Sequence, residues 1–295
     1  MTQFLKMALL SLTVVFSQIS HSEIVPGGTG LLYGSDHAFN FTAPKGWVLD
    51  NQSGVNQGLH MVFYPAGLSW QNAHIIMYGR AAPIKHVPSI DFLIEDTING
   101  FRKNGSPNYQ ATTKSDIPLE NGNIAKVVHY SGDQWGNYEA VAYIKESNTI
   151  NFLVYNARNK ESFKTHLPSF EKAVAGYKNR YISPIATNKE KMHELISRAN
   201  QFSEDLKRKS YKTEALKKAG PANSKAFSSC MSYEKDKSPT EFHYVANINK
   251  AGEVVEHYVA PSNTLTVCYA GLMAPFPYPE SEFDENLLHI HIKIK

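Results

Sequence analysis

Phe242-His243-Tyr244-Val245-Ala246-Asn247-Ile248, then Asn249-Lys250-Ala251-Gly252, then Glu253-Val254-Val255-Glu256-His257-Tyr258-Val259-Ala260: two runs rich in β-branched and aromatic residues flank a short polar, glycine-containing turn. That pattern predicts a β-hairpin. The plain register sets Ile248 opposite Glu253, Tyr244 opposite His257 and Phe242 opposite Val259. Pro261-Ser262-Asn263 then leads into a helix, with Ser262 or Asn263 as N-cap and Leu265, Cys268, Tyr269 and Leu272 along one side. Pro275-Phe276-Pro277-Tyr278-Pro279 cannot continue a helix and should run extended. A last strand over 287–295 alternates Leu288, Ile290, Ile292 and Ile294 with His289, His291, Lys293 and Lys295.

The only two cysteines of the chain are Cys268, in that helix, and Cys230, just upstream of the hairpin. The N-terminus tells how to read them. Lys6 precedes an apolar run over 7–16, broken only by Ser11 and Thr13, and Ser20-His21-Ser22 offers small residues to a signal peptidase. This predicts a secretory signal over 1–22, cleaved near Ser22, and a periplasmic or secreted protein; an uncleaved anchor is the alternative. The run is too short for a comfortable membrane span, and no later segment is apolar enough to be one. In an oxidising compartment two cysteines are most simply one disulfide. It would close a loop of about 39 residues, worth on the order of 3–4 kcal/mol.

The chain has 295 residues, 42% apolar and 19% charged, with a formal charge of +3. This is a globular composition with room for two domains. The charge is too small to argue for nucleic acid, and no nucleic-acid-binding signature occurs. Residues 27–30 read as a flexible lead-in. Strands are expected over Ala38–Thr42, at Trp47-Val48-Leu49, and over 59–64 and 74–81. Ser89 should cap a helix carrying Ile90, Leu93, Ile94, Ile98 and Phe101, which Gly105 ends. Four strands follow, over 109–117, 125–130, Tyr138–Lys145 and Thr149–Ala157, with Asn121-Gly122 as a hairpin signal. Both faces of the last are apolar, so it should be central and covered on both sides. Pro168 should divide residues 160–177 into two helices. The fold class is α+β, with a largely antiparallel sheet and covering helices.

Tyr33, Phe39, Phe41, Pro44 and the Gly46-Trp47 pair, with the late strand bearing Phe152, Val154 and Tyr155 and the helix around Phe163 and Phe170, resemble the PsbP-like fold over about 31–180. That resemblance implies a non-catalytic scaffold and names no ligand. Residues 179–189, with Ser183-Pro184, read as a domain boundary. A linker and amphipathic helix are expected over 181–221, capped by Asn188, with Met192, Leu195, Ile196, Ala199, Phe202 and Leu206 as its apolar stripe. Its far side is basic at Lys207-Arg208-Lys209, and Gly220-Pro221 should stop it. An outer face open to water or to anionic lipid fits this pattern.

Residues 222–295, a hairpin with a Lys-Ala-Gly turn, a helix with one cysteine, a proline-flanked tract and a closing amphipathic strand, resemble the C-terminal domain of the TonB/TolA class. The resemblance implies a small module that binds another protein by strand pairing, through Leu288, His289, Ile290, His291, Ile292 and Lys293. Cys268 stands where TolA-type domains carry a disulfide cysteine. The inner-membrane anchor and long spacer of that class have no counterpart here, so energy transduction is not implied.

His289 and His291 share a strand face at a spacing that can hold a transition metal; His257 is the nearest further ligand, but the register puts it on the apolar side. No cofactor or metal is expected. Protease, hydrolase, phosphate-loop and dinucleotide motifs are lacking, so no catalytic residue is assigned. His60, His74, His86 and His129 read as scattered. Trp47, Trp70 and Trp135, with the many tyrosines, could line a sugar or lipid groove or simply pack a core. The expected function is that of an exported, non-enzymatic adaptor with an envelope protein partner. Binding of a small ligand or lipid is the alternative, and a hydrolase with an unrecognised site the third reading.

Overall fold

The computed structural model describes residues 24–231 and 240–294. The expected signal segment, with Lys6, the 7–16 run and Ser20 to Ser22, lies outside the described residues, as does Lys295.

In chain order the strands of the first half are β1 (Ile24–Pro26), β2 (Thr29–Tyr33), β3 (Ala38–Thr42), β4 (Trp47–Asp50), β5 (Val62–Pro65) and β6 (Ile75–Pro83). Helix α1 (Ile90–Lys103) precedes β7 (Gln110–Thr113), β8 (Ile117–Pro118), β9 (Ile124–Ser131), β10 (Tyr138–Lys145) and β11 (Thr149–Ala157). Helix α2 (Lys160–Ala175), β12 (Lys178–Asn179) and β13 (Ile185–Ala186) follow. The remainder is α3 (Lys189–Phe202), α4 (Leu206–Met231), β14 (Glu241–Ile248), β15 (Val254–Ala260), α5 (Thr264–Met273) and β16 (Asn286–Lys293).

The chain is an α+β protein with several sheets. The largest is nine-stranded and antiparallel, in the order β1-β4-β5-β6-β11-β10-β9-β7, with β8 also on β9. β11 runs between β6 and β10 along its whole length, the central position that its two apolar faces call for. One face packs Leu153, Tyr155 and Ala142 against Phe163, Phe170 and Val174 of α2 and against Phe39 and Phe41 of a small β12-β3-β2 sheet. Residues 27–30 are therefore not a flexible lead-in: Thr29 and Gly30 pair with Thr42 and Phe41. Their strand brings a glycine against the core, because a side chain at Gly30 would collide with Met61.

The opposite face has two separate covers. Helix α1 lies over Tyr130, Val141, Tyr143 and Val154, while the segment before β5 and the loop before β6 cover Val48, Val62 and Tyr64 with Leu59, Leu68 and Trp70. Ser89 caps α1 by accepting from Phe92 N at 3.1 Å, and Gly105 (φ +97°) follows its last turn.

Two prolines expected to break helices do not. α2 runs unbroken through Pro168, and α4 through Gly220 and Pro221. A proline inside a helix costs about 3 kcal/mol through its missing donor and ring clash. In α2 the buried side chains Phe163, Phe170, Ala173 and Val174 lie on both sides of Pro168, so breaking the helix would expose one set or the other. The amphipathic helix does break, but earlier, at Ser203 to Asp205. Asp205 there accepts from the N–H groups of Lys207 (2.9 Å) and Arg208 (3.0 Å) and starts α4. Leu206, expected in the buried stripe, is 81% exposed.

The second sheet has the order β13-β15-β14-β16. Its hairpin register differs from the plain one. Tyr244 pairs with Val259 and Ala246 with His257, because a bulge beside Ile248 leaves Val255 unpaired and 50% exposed. The turn fixes this arrangement: the Asn249 side chain accepts from Glu253 N at 2.9 Å, and Asn249 N donates to Glu253 O at 2.9 Å. α4 and α5 pack on one face around Tyr244, Tyr269 and Leu288, and α3 packs on the other against Val245 and Leu287. Asn263 is the N-cap of α5, in a reciprocal pair with Thr266. Cys230 of α4 and Cys268 of α5 stand at disulfide distance, 2.03 Å between sulfurs. The two parts of the chain touch at several points: the Tyr181 hydroxyl donates to Ser35 O at 3.3 Å, and Arg180 pairs with Glu253 at 3.1 Å.

Candidate functional site: a cleft between two covers of one sheet face

Between α1 and the 51–73 cover, the face of the large sheet is left open. The register sets Tyr130, Glu139, Asn156 and Ile76 side by side across β9, β10, β11 and β6. Residues directly opposite in antiparallel strands project to the same face, so these four form one row across the floor of the opening. A cavity of about 190 Å³ lies at one end, lined by Tyr78, Tyr109, Asp133, Trp135 and Glu139 among others. A second, of about 430 Å³, is lined by Trp70, His74, Ile76 and Arg158. Asn137 and Asn156 line both, so the two form one cleft.

Each wall has a local cause. Phe101, Tyr109 and Tyr130 stack in a column, with ring centroids 4.1 and 5.5 Å apart, and fasten the end of α1 to the sheet. The loop bearing Trp135 is held against residues 106–109. Gly132 (φ +90°) comes so close to Asn108 O that a side chain there would overlap it, and Gln134 N donates to Ser106 Oγ at 3.0 Å. Inside the loop, Asn137 donates from its backbone and its side chain to Asp133, both at 2.8 Å. The indole of Trp135 is left 67% exposed at the mouth.

The electrostatics centre on Glu139. Its Oε2 accepts from Asn156 Nδ2 at 3.3 Å. Burial above all pushes its pKa up to about 7; the Asn156 hydrogen bond opposes it, the Asp133 carboxylate adds a smaller upward push, and Tyr109 and Arg80 oppose more weakly. Arg80 lies over the Tyr78 ring at 5.6 Å and forms no ion pair with Glu139. The Tyr109 hydroxyl is close enough to Glu139 to favour its anion slightly, yet it is buried and makes no hydrogen bond of ordinary geometry. A desolvated carboxylate without an ion pair, a buried hydroxyl beside it and an exposed indole around one opening form a surface suited to a ligand.

The residues singled out in the sequence fall in different places. Trp70 and Trp135 line the cleft, but Trp47 is 3% exposed in the core, edge-on to His166, and lines no groove. His74 is at the cleft's far end, while His129 packs on Phe163 at the opposite face of the sheet. His289 and His291 do share a face, and the neighbour they meet is His243. His243 Nδ1 and His289 Nε2 are 3.0 Å apart, and the His243 and His291 rings stack at 4.3 Å. His291 meets Glu241 at 3.0 Å. Burial, then His243 and Lys212, bring the His289 pKa down to about 4. His257 is buried on the other face, its Nε2 at 2.8 Å from Ile182 O. Among the described residues, no group of three or more His, Cys, Asp or Glu side chains is placed to hold a metal ion.

β16 forms an edge of its sheet, with Leu288 and Ile290 in the core and His289, His291 and Lys293 on the α3 side. The basic patch of α4 is largely occupied: Lys207 pairs with Glu282 at 3.1 Å, and Arg208 lies between the rings of Phe202 and Phe283 at 4.4 and 4.1 Å. No helix among the described residues is long and apolar enough to cross a membrane.

No family model matches the chain, and no curated protein does. Among solved structures it is similar to the cyanobacterial PsbP, CyanoP, of Synechocystis sp. PCC 6803, at 12% identity over 52% of this chain and 93% of that one, with a TM-score of 0.35. It is also similar to the Ran-binding protein Mog1p of Saccharomyces cerevisiae, at 10% identity over 51% and 94%, with a TM-score of 0.34. A protein of Bacteroides thetaiotaomicron VPI-5482 matches at 12% identity over 62% of this chain and 63% of its own length, with a TM-score of 0.31. Likeness at these scores carries no argument about function.

Proposed function

We propose that this is an exported, non-enzymatic protein that binds a small molecule in the cleft between α1 and the 51–73 cover. The observation that carries the reading is the Glu139 carboxylate, desolvated on the wall of an open cavity that it shares with Tyr109, Asp133 and Trp135, and forming no ion pair among the described residues. Proteins rarely desolvate a carboxylate without a counter-charge unless something else supplies one. Export is supported by the Cys230 and Cys268 pair and the apolar run near the N-terminus. Native mass spectrometry of the full chain from its own host should show a bound small molecule that denaturation releases. Protein that is free of ligand, and that takes up none from a host extract, refutes the reading.

The second reading is the adaptor, with residues 31–180 as a PsbP-like domain and residues 222–295 as a TonB/TolA-like one. It is favoured by the position of β16 at the edge of its sheet. A photocrosslinker placed at His291 should trap one envelope protein; absence of any adduct in living cells counts against it.

A further inference from the structure

The charges in the cleft are not spread evenly. Glu139 and Asp133 are together at the Trp135 end, and the exposed Arg158 is at the Trp70 end. Neither carboxylate forms an ion pair with a Lys, Arg or His side chain among the described residues. Among the described residues Asp133 is held by the neutral amide and backbone of Asn137, and Glu139 by the neutral amide of Asn156 and the neutral Tyr109 hydroxyl. The amides of Asn137 and Asn156 occupy the middle. Arg158 follows Asn156 by two residues, a step of about 7 Å along an extended chain.

We propose that the ligand is a small zwitterion of the basic amino acid class, free or at the end of a short peptide. Its protonated amine or guanidinium is bound at Glu139 and Asp133, and its carboxylate reaches Arg158. The proposal rests on the reading of the cleft as a ligand site and adds the class of ligand.

The chemistry runs in one direction. A cation between the carboxylates supplies the counter-charge that the protein lacks there and offsets the desolvation that pushes Glu139 up to about 7. Its N–H groups are donors for Glu139 and for the Tyr109 oxygen. The Trp135 indole at the mouth offers a face to a cation. A neutral sugar could use the aromatic surface and the amides, but it would leave both carboxylates unneutralised. An anion would be repelled from this end. Arg80 does not neutralise the pair, being exposed and lying over Tyr78.

The test is isothermal titration of the full chain at about pH 8 with L-arginine, L-lysine and putrescine, and with glucose as the neutral probe. Arginine or lysine should bind, Glu139→Gln should weaken it more than tenfold, and Tyr109→Phe about threefold. Arg158→Gln should weaken the amino acids and leave putrescine, which has no carboxylate, unchanged. Circular dichroism checks that each variant is folded; if Glu139→Gln is not, Tyr109→Phe and Arg158→Gln carry the test. Glucose binding as tightly as arginine, or arginine binding unchanged in the folded variants, overturns the proposal and leaves the cleft a ligand site. A native ligand without a basic nitrogen does the same. If none of the probes binds and host-purified protein carries no ligand, both fall together.

Discussion

Replacing Glu139 by glutamine should make the protein more stable at alkaline pH and leave it almost unchanged in mild acid. Glutamine keeps the shape and can still accept the Asn156 hydrogen bond, so charge is the main thing removed. In the folded chain the carboxyl has its pKa raised from an ordinary 4.5 to about 7, burial being the largest cause. A carboxyl with a raised folded pKa keeps its proton longer when folded than when unfolded. Its contribution is therefore fully present below about pH 4.5 and is lost as pH rises towards 7. From about pH 5 to about pH 8 this loss integrates to about 2.5 kcal/mol at 1.36 kcal/mol per pKa unit. Glu139 is only partly buried, and water screening brings the expected value to about 1–2 kcal/mol. The wild-type pH profile alone does not isolate it, because His289 acts with the opposite sign over part of the range. The difference between wild type and Glu139→Gln does. Urea unfolding of both proteins at about pH 5 and pH 8, with equal m-values, gives that difference. The same gap between the two proteins at both pH values would refute the desolvated carboxylate, and with it the electrostatic account of the cleft.

His289, with its pKa pushed down to about 4, contributes stability that is present above its ordinary 6.5 and lost as pH falls, so His289→Asn should reduce the acid loss by about 1–2 kcal/mol in urea titrations. The unreduced full chain, denatured, should titrate no free thiol, and replacing Cys230 and Cys268 together by alanine should cost about 3–4 kcal/mol; two reactive thiols would refute the pairing. Phe170→Ala should cost about 3–5 kcal/mol, whereas Leu206→Ala, on a side chain 81% exposed, should stay within about 0.5 kcal/mol. Pro168→Ala should raise stability by about 1–3 kcal/mol, since the helix already runs through that position; an unchanged unfolding midpoint would show that the proline costs nothing there.

Much of the α+β pattern was legible because it rests on local periodicity. The stripe of α1, its Ser89 cap, the long strands β9 to β11 and the alternation along β16 follow from side-chain direction alone. Failures occurred where a distant contact outweighs a local preference. Pro168 and Pro221 are helix breakers by chemistry, yet buried residues on either side of them hold α2 and α4 together. Residues 27–30 are glycine-rich and read as loose, but Gly30 allows a strand to sit against Met61. The hairpin register failed by a bulge whose cause, the Asn249 to Glu253 closure, is a pair of side-chain and backbone bonds that no periodicity encodes.

The cleft was partly in view for a different reason. Trp70 and Trp135 stood out by type, and Asn156 was already on the same face as Ile150, Phe152 and Val154 of a strand expected to be central. Glu139 carried the stronger signal. It shares its face of β10 with Val141 and Tyr143, so a charged group interrupts an otherwise apolar stripe. Such an interruption inside a sheet is costly unless something pairs with it. Recognising that it meets Asn156, Tyr130 and the Asp133 loop requires the register of three strands, and an offset of one residue in any of them turns these side chains to opposite faces. What the register adds is that two carboxylates and a buried hydroxyl converge where the two covers of the sheet leave a gap. A core built only for packing would have closed that gap with apolar side chains; this chain keeps it open and lines it with charge.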